Sequence, residues 1–147
     1  MISANGYNPL RWDCVTRGCF NLKRRPKIEV FAECFPGRIN FGDVDGIVEI
    51  NGNALLLEWK SEAHELPIGQ RILYERLIHS GLCSAMIIVG DAETMIAVAT
   101  SIFDRGIKYP AHGYEPADLQ LIKHRLAAWS RWAARHPVIG TFQRESR

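Results

Sequence analysis

Residues 42–60 read GDVDGIVEINGNALLLEWK, and this stretch decides the fold. Two apolar runs flank the pair Asn51-Gly52, which predicts a type I′ hairpin because both central residues of that turn need a positive φ. The runs VDGIVEI and ALLLEW are therefore expected to be neighbouring antiparallel strands. Side chains two positions apart in a strand share a face, so Glu58 and Lys60 should project together.

A pair of carboxylates is expected at the open end of this hairpin. Antiparallel partners equidistant from a turn lie opposite each other, which brings Asp45 beside Glu58. Such a pair suits a hard cation such as Mg²⁺, which keeps several waters and takes one or two carboxylates plus a substrate phosphate. Lys60 can then steer or polarise the attacking water. Asp43 lies on the same side of its strand as Asp45 and could exchange roles with it, whereas Trp59 is expected in the core on the opposite face.

Helical and strand patterns alternate along the rest of the chain. The predicted elements are a helix from Pro26, strands over 38–41, 84–90 and 94–100, a helix after Ser61, and a C-terminal helix over 116–136. Residues 1–25 show no regular pattern and are expected to form an irregular arm. We therefore expect a single α/β domain over 1–147, with a mixed sheet of about five strands flanked by helices.

The two longer helices have recognisable faces. In the helix after Ser61, the apolar residues are Ile68 and Ile72 and, less regularly, Leu73, Leu77 and Ile78, with Pro67 at the first position and Gly81 as the stop. In the C-terminal helix, the apolar side carries Ile122, Leu126, Trp129 and Ala133, and the opposite side carries Gln120, His124, Arg131 and Arg135.

The composition argues against a membrane-spanning protein and against a zinc-binding protein. A hydrophobic fraction of 47% and a charged fraction of 23% are ordinary for a soluble globular domain. No apolar run reaches the roughly 18 residues that a membrane span needs, so we expect a cytoplasmic protein without a membrane partner. The net charge of +2 neither demands nor excludes a polyanionic partner. The four cysteines and five histidines lack the spacing of a zinc site, so reduced thiols are expected.

Three motifs in this order resemble the PD-(D/E)XK nuclease superfamily. They are GDVDG, then EWK at the end of a strand, then Gln70 to Tyr74 as QxxxY on the next helix, where the RecB-like branch carries it. The resemblance covers roughly residues 26–100 and includes small nucleases of the phage type. It implies a restriction-endonuclease-like core and Mg²⁺-dependent hydrolysis of DNA, with Mn²⁺ able to substitute.

The resemblance also implies a role for each motif residue. Asp45, Glu58 and Glu29 would be catalytic metal ligands, Lys60 would orient or activate the nucleophilic water, and Gln70 with Tyr74 would support the site or contact DNA. Glu29 is the candidate acid on the N-terminal helix, and Glu33, one turn further on, is the alternative. The mechanism implied is metal-assisted phosphodiester hydrolysis, in which the protein groups mainly position the metal.

Basic residues near these motifs would meet the charge of the DNA. The candidates are Lys23, Arg24, Arg25, Lys27 and Arg71, or His124, Arg131 and Arg135 on the last helix. The sequence leaves open whether the enzyme is an endonuclease or an exonuclease, and whether it dimerises or joins a larger nuclease complex. The alternative function is a non-catalytic module on the same fold that binds nucleic acid or protein as an inhibitor or accessory factor.

Overall fold

The computed structural model describes residues 28–37, 39, 44–81 and 83–138. The expected arm over 1–25 lies outside this part, as does the expected strand over 38–41 apart from Ile39. The chain divides into two compact units, Met1–Asp43 and Val44–Arg147. In the first unit, Ile28–Cys34 form a 3₁₀ helix within the stretch where a helix is expected. The expectation of one domain over 1–147 stays a prediction.

The second unit contains a mixed sheet and two α-helices. The elements, in chain order, are β1 (Gly46–Ile50), β2 (Asn53–Lys60), α1 (Ile68–His79), β3 (Ser84–Asp91), β4 (Ile96–Asp104), β5 (Ile107–Tyr109), β6 (Glu115–Pro116) and α2 (Leu119–Arg135). The described strands follow the order β1-β2-β3-β4-β5, with β6 paired to β4. The expected α/β class with a mixed sheet is confirmed, although the short strands β5 and β6 were not expected.

The β1–β2 hairpin forms as its turn sequence predicts. Asn51 and Gly52 have φ values of 51° and 88°, and the two strands pair antiparallel. β2 then pairs parallel with β3, and α1 forms the crossover between them. β3 is central and buried along almost its whole length, which explains its nearly continuous apolar sequence.

The two faces of the sheet carry separate hydrophobic cores. Alternation along β2 places Leu55 and Trp59 in the core covered by α2, and Leu56 in the core covered by α1. The expected position of Trp59 in the core opposite Glu58 and Lys60 is thus confirmed. The Trp59 indole Nε1 also donates to Gly90 O at 2.9 Å, so its one polar atom is satisfied.

α1 has the expected bounds but a different buried face. Of the predicted apolar residues, Ile78 is buried, whereas Ile68 and Leu73 are 69% and 46% exposed, so the prediction is wrong for these two. Tyr74, which is not among the predicted apolar residues, is buried together with Ile78, and both pack with Phe103 of β4. The place where α1 crosses the sheet thus determines which helix face is buried. The weak helical periodicity of this segment did not identify that face.

α2 has the predicted faces. Ile122 and Ala133 are buried, and Leu126 and Trp129 pack against the same core. The predicted outer residues, Gln120, His124, Arg131 and Arg135, are all exposed. The helix starts after Asp118, whose carboxylate accepts a hydrogen bond from the Leu121 N–H at 2.8 Å. No helix in the described part of the chain is long and apolar enough to cross a membrane.

Candidate active site

Glu58 and Lys60 form an ion pair at the end of β2, on the face covered by α1. Lys60 Nζ lies 3.0 Å from Glu58 Oε1. Glu58 is only 9% exposed, and the Lys60 side chain is 27% exposed. A buried carboxylate without a partner is costly, so this pairing compensates the charge of Glu58 within the protein.

Gln70 of α1 links the two charged groups. Its Oε1 accepts a hydrogen bond from Lys60 Nζ at 3.0 Å, and its Nε2 donates to Glu58 Oε1 at 3.4 Å. Tyr74, one turn further along α1, adds a side-chain hydrogen bond to Glu58. The EWK and QxxxY motifs, separate in the sequence, therefore meet in one hydrogen-bonded network of four side chains.

Asp45 lies immediately before β1 and approaches the same strand end. Its Oδ2 accepts a hydrogen bond of 2.6 Å from the backbone N–H of Trp59. Gly46 pairs with Leu57 in the hairpin register, so Asp45 comes to the position opposite Glu58. Unlike Glu58, Asp45 is exposed, which leaves its carboxylate accessible from solvent.

The pKa of Tyr74 reflects its burial and the negative charges of this site. Burial, the charges of Glu58 and Asp45, and the hydrogen bond to Glu58 together raise its pKa from 10.0 to about 12. All of these effects oppose formation of a phenolate beside carboxylates. Tyr74 is thus held as a neutral hydrogen-bond donor to Glu58.

A clamp at the other end of the hairpin holds it against the C-terminus of α2. Asn53 Nδ2 donates to His136 O at 2.8 Å, and Asn51 Nδ2 donates to Ala134 O at 3.1 Å. Carbonyl groups in the last turn of a helix lack partners within the helix, and these amides supply them. The sequence did not predict these contacts, because Asn51 is already explained by the hairpin turn and the neighbouring Asn53 has no local signal of its own.

Several predicted site residues lie elsewhere or outside the described part. Lys23, Arg24, Arg25, Lys27 and Asp43 are not among the described residues, and neither is the side chain of Glu29. Glu33 is exposed on the 3₁₀ helix of the first unit. Arg71 is described but lies outside the network of four side chains, with its Nε 3.8 Å from Glu75 Oε1.

The donor set for a metal in the described part is two carboxylates. Across residues 28–37, 39, 44–81 and 83–138, no group of three or more His, Cys, Asp or Glu side chains is arranged to hold a metal ion. Mg²⁺ often uses one or two protein carboxylates and completes its octahedron with waters and substrate phosphate. Asp45 and Glu58 are compatible with that limited requirement, whereas an all-protein cage is not present here.

Comparisons of the chain with protein-family models, curated proteins and solved structures found no match. The resemblance to the PD-(D/E)XK superfamily therefore depends on the motifs and on the geometry of the residues that carry them.

Proposed function

We propose that this protein is a metal-dependent DNA nuclease of the PD-(D/E)XK type. The observation that carries the proposal is the meeting of Glu58, Lys60, Gln70 and Tyr74 in one network next to Asp45. A chance match to short motifs has no reason to place all their polar residues around a single carboxylate. A cluster of partly buried titratable side chains, in which the pKa of Tyr74 is raised, is typical of a functional site.

Asp45 and Glu58 would hold Mg²⁺ or Mn²⁺. The bound cation would supply Lewis-acid stabilisation of phosphoryl charge and a lower pKa for a bound water. Tyr74 and Gln70 restrict the orientation of Glu58 through their hydrogen bonds. A ligand whose rotamer is fixed in this way loses less entropy when it binds a cation.

Lys60 would stabilise negative charge that develops on the phosphate. Its Nζ is held by two oxygens, Glu58 Oε1 and Gln70 Oε1, each at 3.0 Å. An ammonium group has three donors, so a third remains for a water or a phosphate oxygen. A preorganised cation is more effective than a mobile one because little reorganisation is needed during the reaction.

Cleavage assays with isosteric variants test this function. Linear duplex, single-stranded, circular and branched DNA would be incubated with Mg²⁺, Mn²⁺ or EDTA. We expect metal-dependent cutting by the wild type and a rate lower by about 10²–10³-fold in Lys60→Met, the usual effect of removing one electrostatic stabiliser. Glu58→Gln and Asp45→Asn, which lose the charge of a proposed metal ligand, should cut at least as slowly as Lys60→Met. Lys123→Met, on the exposed side of α2, should cut like the wild type.

Asp45→Asn is more informative than Asp45→Ala. The asparagine side chain keeps an oxygen that can accept from the Trp59 N–H, so the hairpin end is preserved while the negative charge is removed. Loss of cutting in this variant would then report on metal binding or catalysis instead of unfolding. Cutting by Asp45→Asn, Glu58→Gln and Lys60→Met at the wild-type rate would exclude this site.

One observation favours the alternative, a non-catalytic module that binds nucleic acid or protein. Lys60 already compensates the charge of Glu58, so this buried carboxylate does not need a metal cation for its stability.

Stabilisation by a bound metal separates the two functions. At a free Mg²⁺ concentration about a hundred times Kd, binding adds about 2.7 kcal/mol to the free energy of unfolding. A rise in melting temperature in the wild type and in Glu93→Gln, but not in Asp45→Asn, supports the nuclease. No rise in any of them supports the binding module.

A further inference from the structure

A cavity of about 270 Å³ lies on the face of the sheet that α1 covers, and its described lining includes none of Glu58, Lys60, Gln70 and Tyr74. Gln70 and Tyr74 belong to the network of four side chains. Arg71 and Glu75, which follow them directly in α1, line the cavity instead. The remaining lining comes from the loop after β2, from β3, β4 and β5, and from the loop after β5: Ala63, Glu65, Leu66, Ile87, Ser101, Phe103, Lys108, Ala111, His112, Gly113 and Tyr114. We call this space the α1 cavity.

Ser101 places an unused polar group in the wall of the α1 cavity. The residue is 1% exposed, and within the described part of the chain its hydroxyl has no hydrogen-bond partner. A buried hydroxyl without a partner costs free energy, so such groups usually have a ligand or a water. Ser101 pairs with Ile87, which pairs with Glu58, so the three residues form one row across the sheet on the same face.

Two other polar groups of the wall, Lys108 and the Tyr114 hydroxyl, are already hydrogen-bonded. Lys108 Nζ donates to Pro110 O and Gly113 O at 2.7 and 2.9 Å, which holds the loop after β5. The Tyr114 hydroxyl donates to His64 O at 2.8 Å, which ties that loop to the one that follows Lys60. The cavity wall therefore combines aromatic and aliphatic surface with the unused Ser101 hydroxyl and with the exposed side chains of Glu65 and His112.

Charge and size narrow the class of ligand. Arg71 and Glu75 lie 3.8 Å apart in the lining, and Glu65 and Lys108 add one further charge of each sign, so neither a strong anion nor a strong cation is favoured. The volume is just below the range of roughly 300–1,000 Å³ that drug-sized ligands occupy. A compact, uncharged ring with a polar edge fits these properties.

We propose that the α1 cavity binds a single nucleobase, with the ring against the wall formed by Phe103, Tyr114 and Ile87 and the polar edge hydrogen-bonded to Ser101. The choice of a base over other polar rings rests on the proposed function, because a nucleic-acid substrate brings bases to the protein. The described lining of the cavity does not include Lys60, so we assign the cavity to a base other than the one at the cleaved bond. The cavity would instead anchor an unpaired part of the strand.

Binding can be tested without catalysis. Amide chemical shifts of ¹⁵N-labelled protein would be recorded in EDTA with free deoxynucleosides, and with a short single-stranded oligodeoxynucleotide that is intact or abasic throughout. We expect shifts at Ser101, Phe103 and Gly113 that saturate with ligand. Shifts caused by the intact strand but not by the abasic strand identify a strand base as the source, and shifts with nucleosides alone identify a free nucleoside.

Three variants locate the site. Ser101→Ala removes an unpartnered hydroxyl, so it should fold at least as stably as the wild type yet bind about fivefold to tenfold more weakly, as for one lost hydrogen bond. Ala111→Phe fills the cavity from the loop after β5 and should abolish binding. Ala128→Phe makes the same change on an exposed part of α2 and should bind like the wild type.

The proposal is overturned if no base causes shifts at the cavity, or if Ser101→Ala and Ala111→Phe bind as tightly as the wild type. The first outcome would mean that the cavity holds only water. Failure of the proposed function is a separate result, because it appears as absent cleavage with base binding retained. Cleavage abolished by Lys60→Met, together with absent base binding, would leave the nuclease standing and remove only this inference.

Discussion

Replacement of Tyr74 by phenylalanine tests the network through the stability of the protein. Phenylalanine keeps the buried ring and its contact with Phe103, whose ring centroid lies 5.9 Å away, and removes only the hydroxyl that bonds to Glu58. A hydrogen bond to a charged group contributes about 1.5–3 kcal/mol. We therefore expect Tyr74→Phe to lower the free energy of unfolding by that amount at neutral pH.

The difference between wild type and Tyr74→Phe should also depend on pH. The folded state raises the pKa of Tyr74 from 10.0 to about 12, so the stabilising contribution is fully present below pH 10.0 and is lost as the pH rises through about 12. The full loss corresponds to about 3 kcal/mol, at about 1.4 kcal/mol per pH unit. About half of it, roughly 1.4 kcal/mol, should be lost by about pH 11.

Urea unfolding followed by tryptophan fluorescence measures both effects. Curves for wild type and Tyr74→Phe at about pH 8 and about pH 11 give the difference at each pH, and titration of all other groups cancels between the two proteins. Tyr109→Phe, at a tyrosine that is 54% exposed, is the control and should change stability by less than about 0.5 kcal/mol. An identical penalty for Tyr74→Phe at both pH values would refute a neutral Tyr74 held beside carboxylates.

Three further substitutions test the fold around the site by thermal or urea unfolding. Gly90→Ala would place a Cβ in steric conflict with Ile96 O at the bulge between β3 and β4 and should destabilise by about 1–3 kcal/mol. A loss below about 0.5 kcal/mol would contradict the close backbone contact. Gly69→Ala meets nothing within 4 Å in α1 and should stabilise by up to about 0.5–1 kcal/mol, whereas destabilisation would indicate an unseen neighbour. Asp118→Ala removes the N-cap bond to the Leu121 N–H and should cost about 1 kcal/mol, with Asp118→Asn retaining most of the stability if the cap is responsible.

Local chemistry made parts of this protein predictable from sequence. The Asn51-Gly52 turn fixes the register of β1 against β2, because positive φ at both positions permits one tight connection. Strict alternation in β2 then separates Glu58 and Lys60 from Trp59. The strong amphipathic pattern of α2 likewise identified its buried Ile122 and Ala133.

Other features depended on long-range packing and were not predictable from local sequence. α1 buries Tyr74 and leaves Ile68 exposed, since the face in contact is chosen by where the helix crosses the sheet. The clamp of Asn53 on His136 O joins residues separated by 83 positions. Short strands such as β6 have too few residues to carry a periodic signal and form because β4 offers an edge to pair with.

The sequence by itself determined the hairpin, the identity of the acids and lysine, and the strand face on which Glu58 and Lys60 lie, because each follows from backbone geometry within a few residues. Only the tertiary structure decided that Gln70 joins Lys60 to Glu58, that Tyr74 is buried against them, and that Ser101 lines a separate cavity. The parallel pairing of β2 with β3 requires the α1 crossover, and this crossover carries the QxxxY motif back over the EWK motif.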